Sequence, residues 1–376
     1  MTKRILALLL SLAMVVPFCG CAEDEPAVSE EKSELAKKDA VEEIQTYVEN
    51  ELGMKAGDGT VEEYYIEIHT EESTAEESTA EESTAEESTA EESSAPPVLT
   101  TVQPDPNCGI TLPESIDPDY LETIRQTLDS APYACAMFYV DLETGLSVSY
   151  NPDRMFAGAS LIKAEYLMMV FDEIQEGRES YDNAYTYTPG NKRDGTTKIP
   201  YDFEFGDKIT VKQLIEYVVW HSDNTGYNML QSYVRSYYDI FDWAKERYGT
   251  KFEYKDCNWL NARGVTECWK DIYNRYKNGD EDYMWYVSLL LEANENKFIR
   301  GGLPKDASGN YMYKVAHKYG MDINASNDAA IVFYEDRPYF LVVLTDYIGI
   351  NTERFINEVS SEVFAMHEYI CSFNEN

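Results

Sequence analysis

From Phe156 to Phe171 the chain reads Phe-Ala-Gly-Ala-Ser-Leu-Ile-Lys-Ala-Glu-Tyr-Leu-Met-Met-Val-Phe. Gly158 breaks the preceding segment, and Leu161, Ile162, Leu167, Met168, Val170, Phe171 and Ile174 then fall around nearly the whole circumference of a helix. A helix apolar on every side is one buried in a large core, so this stretch demands protein all around it. Ser160 and Lys163 stand three residues apart in its first turn, which brings their side chains out on one face. The serine has free backbone N–H groups and the positive end of the helix dipole behind it. Partial desolvation lowers the pKa of a lysine towards a value useful for accepting a proton. The pair is therefore a candidate nucleophile with a base beside it. Spacing alone does not make a site, because Ser29 and Lys32 repeat it in a charged segment. There the bland reading, a capped helix with a surface lysine, is sufficient.

The chain has 376 residues and a formal charge of −38, unevenly spread. Residues 22–107 hold 26 acidic and 4 basic residues, and residues 108–376 carry −18 once Lys3 and Arg4 are set aside. Such a surface repels nucleic acid and anionic lipid, which excludes both as partners. Lys3 and Arg4 precede an apolar run from Ile5 to Val16, of signal-peptide length and too short to span a bilayer. It ends Phe18-Cys19-Gly20-Cys21. A small residue before a cysteine at that place resembles the bacterial lipoprotein cleavage box, which implies a signal peptide over residues 1–20 and a lipidated Cys21. An ordinary signal peptide cut nearby is the other reading. Either one puts the mature protein outside the membrane, and the first anchors it to the outer face of the cell membrane by lipid alone.

Five cysteines follow, Cys108, Cys135, Cys257, Cys268 and Cys371. Their number is odd and no Cys-x-x-Cys occurs, so neither a full disulfide framework nor a metal site is indicated, and one or two bridges stay open. No cofactor is called for. Val41, Ile44, Val48 and Leu52 have helical spacing, and Val61 to His69 reads as a strand. Glu-Glu-Ser-Thr-Ala is then repeated four times from Glu71, with Glu-Glu-Ser-Ser-Ala completing the tract at Ala95. A period of five fits neither helix nor strand, so residues 21–107 read as an acidic spacer. As flexible coil they would reach roughly 50 Å, enough to hold a domain off a membrane.

Folding is expected from Cys108 onward. Asp117 caps a helix to Leu128, and Tyr133–Asp141 and Leu146–Tyr150 form a hairpin. The Ser160 helix follows, ending by Gly177. Thr210 caps a helix through Trp220, and another runs from Thr225 to Tyr233. Two or three helices lie between Ile240 and Asn296, interrupted by Asn258-Trp-Leu-Asn-Ala-Arg-Gly264. Val315–Met321 reads as a strand, Ala329–Tyr334 and Tyr339–Leu344 as a hairpin, and Thr352–Phe373 as a terminal helix. Strands at both ends around a helical middle indicate an α+β domain with one antiparallel sheet drawn from both termini.

Two motifs downstream of Ser160 carry the functional reading. Ser222-Asp223-Asn224 begins 62 residues after it, and Lys318-Tyr319-Gly320 begins 96 residues later still. Lys-x-Gly also occurs at Lys55 and Lys277, but only Lys318 stands in a strand. Ser-x-x-Lys, Ser-Asp-Asn and Lys-x-Gly in that order resemble the class A β-lactamases and penicillin-binding proteins over about residues 110–376. The resemblance implies a β-lactamase/transpeptidase-like fold and an acyl-serine formed with a β-lactam or a D-Ala-type cell-wall amide. It gives Ser160 the attack, Lys163 the proton and Ser222 its delivery to the leaving nitrogen. Asn224 would meet the substrate's side-chain amide, Lys318 its carboxylate and Gly320 its flank, with the N–H groups of Ser160 and Met321 as oxyanion hole. His221 and His317 flank the motifs without supporting a Ser-His-Asp triad.

Two departures stand out. Tyr319 replaces the small hydroxyl residue of the family's Lys-Thr/Ser-Gly. The family's lactamases also carry a water-activating glutamate after Ser-Asp-Asn. Here the matching stretch reads Cys257-Asn-Trp-Leu-Asn261, with Cys257 in the glutamate's place. Acylation chemistry is intact on this reading, whereas deacylation by water lacks its base. The rival reading is a cell-wall-binding lipoprotein that uses the fold for recognition with little turnover.

Overall fold

The structure, a computed structural model, describes residues 99–103, 110, 113, 115–293 and 297–374. The signal segment, Cys21, the helix and strand expected before residue 70, and the five-residue repeats lie outside the described residues. The chain runs β1 (Thr100–Val102), α1 (Pro118–Ser130), β2 (Cys135–Asp141), β3 (Ser147–Tyr150), β4 (Met155–Ala157) and α2 (Ile162–Gln175). The middle comprises β5 (Ala184–Thr186), α3 (Ile199–Asp202), β6 (Lys208–Thr210), α4 (Val211–His221), α5 (Asn224–Tyr233) and α6 (Asp239–Tyr248). It continues with β7 (Glu253–Tyr254), β8 (Asn258–Asn261), α7 (Ala262–Lys277), α8 (Glu281–Glu292) and α9 (Phe298–Gly301). The chain closes with β9 (Lys314–Asp322), β10 (Ala325–Phe333), β11 (Tyr339–Thr345) and α10 (Ile350–Cys371). Among the described residues no helix is long and apolar enough to cross a membrane.

Six strands form one sheet in the order β1-β3-β2-β11-β10-β9, with antiparallel pairings throughout. Its strands come from both ends of the domain, as the sequence pattern predicts. The domain starts earlier than residue 108, however. Thr100–Val102 pair with Ser147–Ser149 at the sheet edge, so residues read as spacer complete the sheet.

Both faces of the sheet are covered, which is why β2 and β11 are buried along their whole length. Alternation divides them: Ala136, Phe138 and Val140 face the helical middle with Phe340, Val342 and Leu344. Met137, Tyr139, Leu341 and Val343 pack on the other side with Ile124 and Leu128 of α1 and with Ile356, Val359 and Val363 of α10. That second layer also covers a charge pair, in which Arg337 donates from Nε to Asp141 Oδ2 at 2.8 Å, both residues being buried.

α2 runs through the first core, with ten consecutive buried residues from Ile162 to Phe171. The helix is wrapped on all sides, as its composition demands. Burial extends to Glu165, whose Oε1 accepts a bond from Trp269 Nε1 at 3.2 Å while Oε2 has no hydrogen-bond partner. Loss of water raises its carboxyl to about 8, so it is largely protonated in the folded protein at neutral pH. The unfolded chain releases this proton at lower pH than the folded one, so stability falls as pH rises from about 4.5 to about 8. The slope from this group approaches about 1.4 kcal/mol per pH unit. Glu165→Gln is expected to flatten that loss, stabilising the protein more at pH 8 than at pH 5, as read by urea denaturation at both values.

Candidate active site

Ser160, the candidate nucleophile, stands on a tight turn between β4 and α2. Ala157 ends the strand, Gly158 follows, and Ala159 takes a left-handed conformation at φ 47°, which an L-residue holds only under constraint. Ser160 lies in a 3₁₀ turn, Ala159–Leu161, that leads into α2. Three contacts fix this backbone. Asn327 Nδ2 donates to Ala157 O at 2.8 Å, Gly158 N donates to Asn258 O at 2.9 Å, and Asn258 Nδ2 donates to Ala159 O at 3.1 Å. Gly158 is required by proximity: a Cβ there would sit 2.5 Å from Leu260 Cδ1.

Gly320 has a similar duty, a close approach of backbone to backbone that leaves no room for a side chain. A Cβ at Gly320 would lie 2.4 Å from Gly158 O, 2.6 Å from Leu161 N and 3.1 Å from Ser160 N. Strand β9 thus packs backbone against backbone on the nucleophile turn. That contact brings the Gly320–Met321 peptide beside the Ser160 amide, the two places from which an oxyanion hole would draw its donors. Met321 itself is 41% exposed.

The second motif is a tight turn between two helices. α4 ends at His221, Ser222 is left-handed at φ 49°, and Asp223 caps α5 by accepting from Gly226 N at 2.7 Å. Asp223 is fully buried and also accepts from Thr197 Oγ1, Lys198 N and Ile199 N. Its carboxylate is wholly occupied, so it serves structure by tying loop 197–199 to the Ser222 turn.

Lys163, Ser222, Asn224 and Lys318 meet in one group. Lys163 Nζ donates to Ser222 O and to Asn224 Oδ1, each at 2.6 Å, and lies 3.4 Å from Ser222 Oγ. Lys318 Nζ lies 3.1 Å from the same hydroxyl and donates to Tyr319 O at 2.6 Å. Asn224 Nδ2 donates to Asp194 O at 3.0 Å, so the loop before α3 shares the amide expected to meet substrate. Burial pushes the Lys163 amine well below its ordinary range; the nearby Lys318 charge adds to this, and Asp223 opposes it. A neutral amine has two N–H bonds for the two carbonyl oxygens and a lone pair for a hydroxyl proton. Among the described residues Ser160 Oγ makes no hydrogen bond to Lys163, whose contacts go to Ser222 and Asn224.

The neighbouring histidines do no such work. His317 is buried and directs Nδ1 to Asp328 at 3.1 Å, while His221 packs edge-on to Tyr217. Tyr319 lies against Phe298 with ring centroids 5.6 Å apart, and Lys318 Nζ is 4.7 Å from the Tyr319 ring. A small recess between α4, the end of α8 and β9 is lined by Trp220, Ser222, Lys318 and Tyr319.

The stretch read as the glutamate loop is a β-hairpin. β7 pairs with β8, and β8 pairs in turn with β4, Leu260 opposite Phe156 and Asn261 opposite Met155. Pairing with β4 overrides the loop-like composition of Asn258–Asn261, which the sequence reading took for an interruption between helices. Cys257 lies in the hairpin turn, its thiol raised by burial and by Asp256. Asp256 is turned to solvent and accepts from Cys257 N and Trp259 Nε1. Cys135, Cys257, Cys268 and Cys371 are all free thiols. Among the described residues no cluster of His, Cys, Asp and Glu could hold a metal ion.

Sequence reasoning missed the left-handed Ala159 and Ser222, the role of Asp223, and Asn258. No local pattern marks them, since each depends on what packs against it.

Known proteins resemble the chain in sequence and in fold. β-Lactamase VEB-1 of Pseudomonas aeruginosa is 25% identical over 214 residues, which are 50% of this chain and 68% of that protein. The solved structure of PBP-A shares the fold with a TM-score of 0.60 at 20% identity, covering 69% of this chain and 100% of the other. A point mutant of PBP-A, captured as its acyl-enzyme complex with penicillin G, gives 0.61 at 19% identity, with 68% and 99% covered. A β-lactamase from Sphaerobacter thermophilus gives 0.60 at 16% identity, again with 68% and 99% covered. The model of the β-lactamase enzyme family matches residues 120–366, and the chain belongs to that family of active-site serine hydrolases.

Proposed function

We propose that the protein is tethered to the outer face of a bacterial cell membrane through Cys21 and forms an acyl-serine at Ser160 with a β-lactam or a D-Ala-type cell-wall amide. The observation that carries the catalytic part is the Ser222 hydroxyl, within 3.4 Å of the Lys163 amine and 3.1 Å of the Lys318 amine, next to the helix that presents Ser160. A binding module has no need of a neutral lysine, a relay hydroxyl and a second cation together.

In this reading Lys163 takes the proton of Ser160 as Oγ attacks the carbonyl carbon. The N–H groups of Ser160 and Met321 receive the oxyanion, and Lys318 meets the substrate carboxylate. As the C–N bond breaks, Ser222 gives its proton to the leaving nitrogen and recovers one from Lys163. Charges and protons then balance, and Lys163 is again neutral. Hydrolysis of the ester needs water and a base. The hairpin supplies Cys257 where the family's lactamases have glutamate, and this supports a long-lived acyl-enzyme of penicillin-binding type.

Intact mass after exposure to a penicillin is expected to show a one-to-one adduct that persists for hours and is absent in Ser160→Ala. Rapid loss of drug without an adduct would instead make this a fast lactamase with another deacylating group. A folded protein that gives neither result with β-lactams or D-Ala-D-Ala esters is the recognition module.

Acylation should also report the state of Lys163. Its rate is expected to rise with pH as the amine loses its proton, at a pH well below the ordinary lysine value, and to fall off on the acid side. Lys163→Ala is expected to slow acylation by about 100-fold or more, measured by stopped-flow with a chromogenic cephalosporin.

A further inference from the structure

We infer that Asn258 is the positioning residue that aims the Ser160 N–H into the oxyanion hole, acting through the Ala159–Ser160 peptide. The inference rests on the reading of Ser160 as nucleophile. Asn258 lies one residue past the pairing of β8 with β4, which ends at Trp259 opposite Ala157, so it reaches the turn rather than the strand. It touches both peptides that precede Ser160. Its backbone oxygen takes the N–H of Gly158 at 2.9 Å, and its Nδ2 donates to the oxygen of Ala159 at 3.1 Å. Its Oδ1 is buried without a hydrogen-bond partner and lies 2.6 Å from where a Gly158 Cβ would stand.

Peptide planarity turns the second contact into an aiming device. The Ala159 carbonyl and the Ser160 N–H belong to one plane and point in opposite directions. Fixing the oxygen on the hairpin side therefore sends the N–H away from the hairpin. On that far side stands β9, whose Gly320 approaches so closely that a Cβ there would be 3.1 Å from Ser160 N. The conformation needs this hold, because Ala159 sits at φ 47° and would relax to a right-handed turn, rotating the shared peptide. Among the described residues Asn258 makes no hydrogen bond to Lys163, Ser222 or Lys318, so its effect runs through the turn.

Asn258→Asp keeps the shape and removes the Nδ2 donor, and Asn258→Ala removes the side chain. Each is expected to slow acylation by penicillin about tenfold or more with the binding constant of the first complex nearly unchanged. Affinity for a boronic acid that forms a tetrahedral adduct on Ser160 should fall in parallel, because that adduct uses the oxyanion donors. With Ala159→Gly in place the left-handed turn is unstrained, and the same Asn258 changes should cost less than threefold. A purely structural role would lower melting temperature without separating the two constants and without this rescue. Acylation within twofold of the wild type, or equal losses with and without Ala159→Gly, overturns the inference. Should the wild type react with neither reagent, the functional reading itself fails. A crystal structure of either Asn258 variant then still decides: Ala159 kept near its present φ refutes the role, and a rotated Ala159–Ser160 peptide upholds it.

Discussion

Taking the amine of Lys163 out of water is the constraint on which the rest of the structure depends. A buried ammonium is costly, and the protein answers by lowering its pKa and surrounding it with oxygens. Both strong acceptors come from the Ser222–Asn224 turn, so desolvating Lys163 also fixes where that turn must be. The turn needs Asp223 to cap α5 and tie down loop 197–199, and it needs Ser222 in a left-handed conformation. One electrostatic requirement therefore propagates through α2, α4, α5 and the loop before α3. Lys318 depends on the same chain of contacts, since its amine shares the Ser222 hydroxyl and adds to the depression of Lys163.

A second constraint is steric and acts on backbone alone. The nucleophile turn is squeezed between β9 on one side and the β7–β8 hairpin on the other. Gly320 and Gly158 are the positions at which each neighbour comes too close for a side chain. Interiors pack at crystal-like density, so such contacts position atoms with little slack. The serine hydroxyl and its amide are consequently set by two strands far apart in sequence. The sheet holds β9 through its long pairing with β10, and β8 is held by β4 and by Leu260 in the core.

The hairpin also separates this chain from the lactamase pattern. Where the family's lactamases carry an acid to activate water, the hairpin has a thiol and a solvent-facing Asp256. The buried carboxylates close to the site are already engaged: Asp223 in four hydrogen bonds and Glu165 under Trp269, with its proton retained. On the proposed reading, the groups that would form an ester are thus more complete than those that would clear it.

By itself the sequence determined the class of the domain and the four side chains of the central group. Periodicity marked α2 as a helix buried on all sides, and strands at both ends with helices between required one sheet drawn from both termini. Ordered motifs selected Lys163, Ser222, Asn224 and Lys318, and Ser160 on the turn beside them. Such features are legible because they are local, with hydrophobic spacing and residue type written along the chain. Tertiary structure alone decided what depends on close approach between distant segments. It drew Thr100–Val102 into the sheet and made a strand of Asn258–Asn261 by pairing it with β4. It also set Gly320 against the backbone of the Ser160 turn and brought the Asn258 amide to the left-handed Ala159. No single segment encodes these outcomes, since each is a property of the space between two of them.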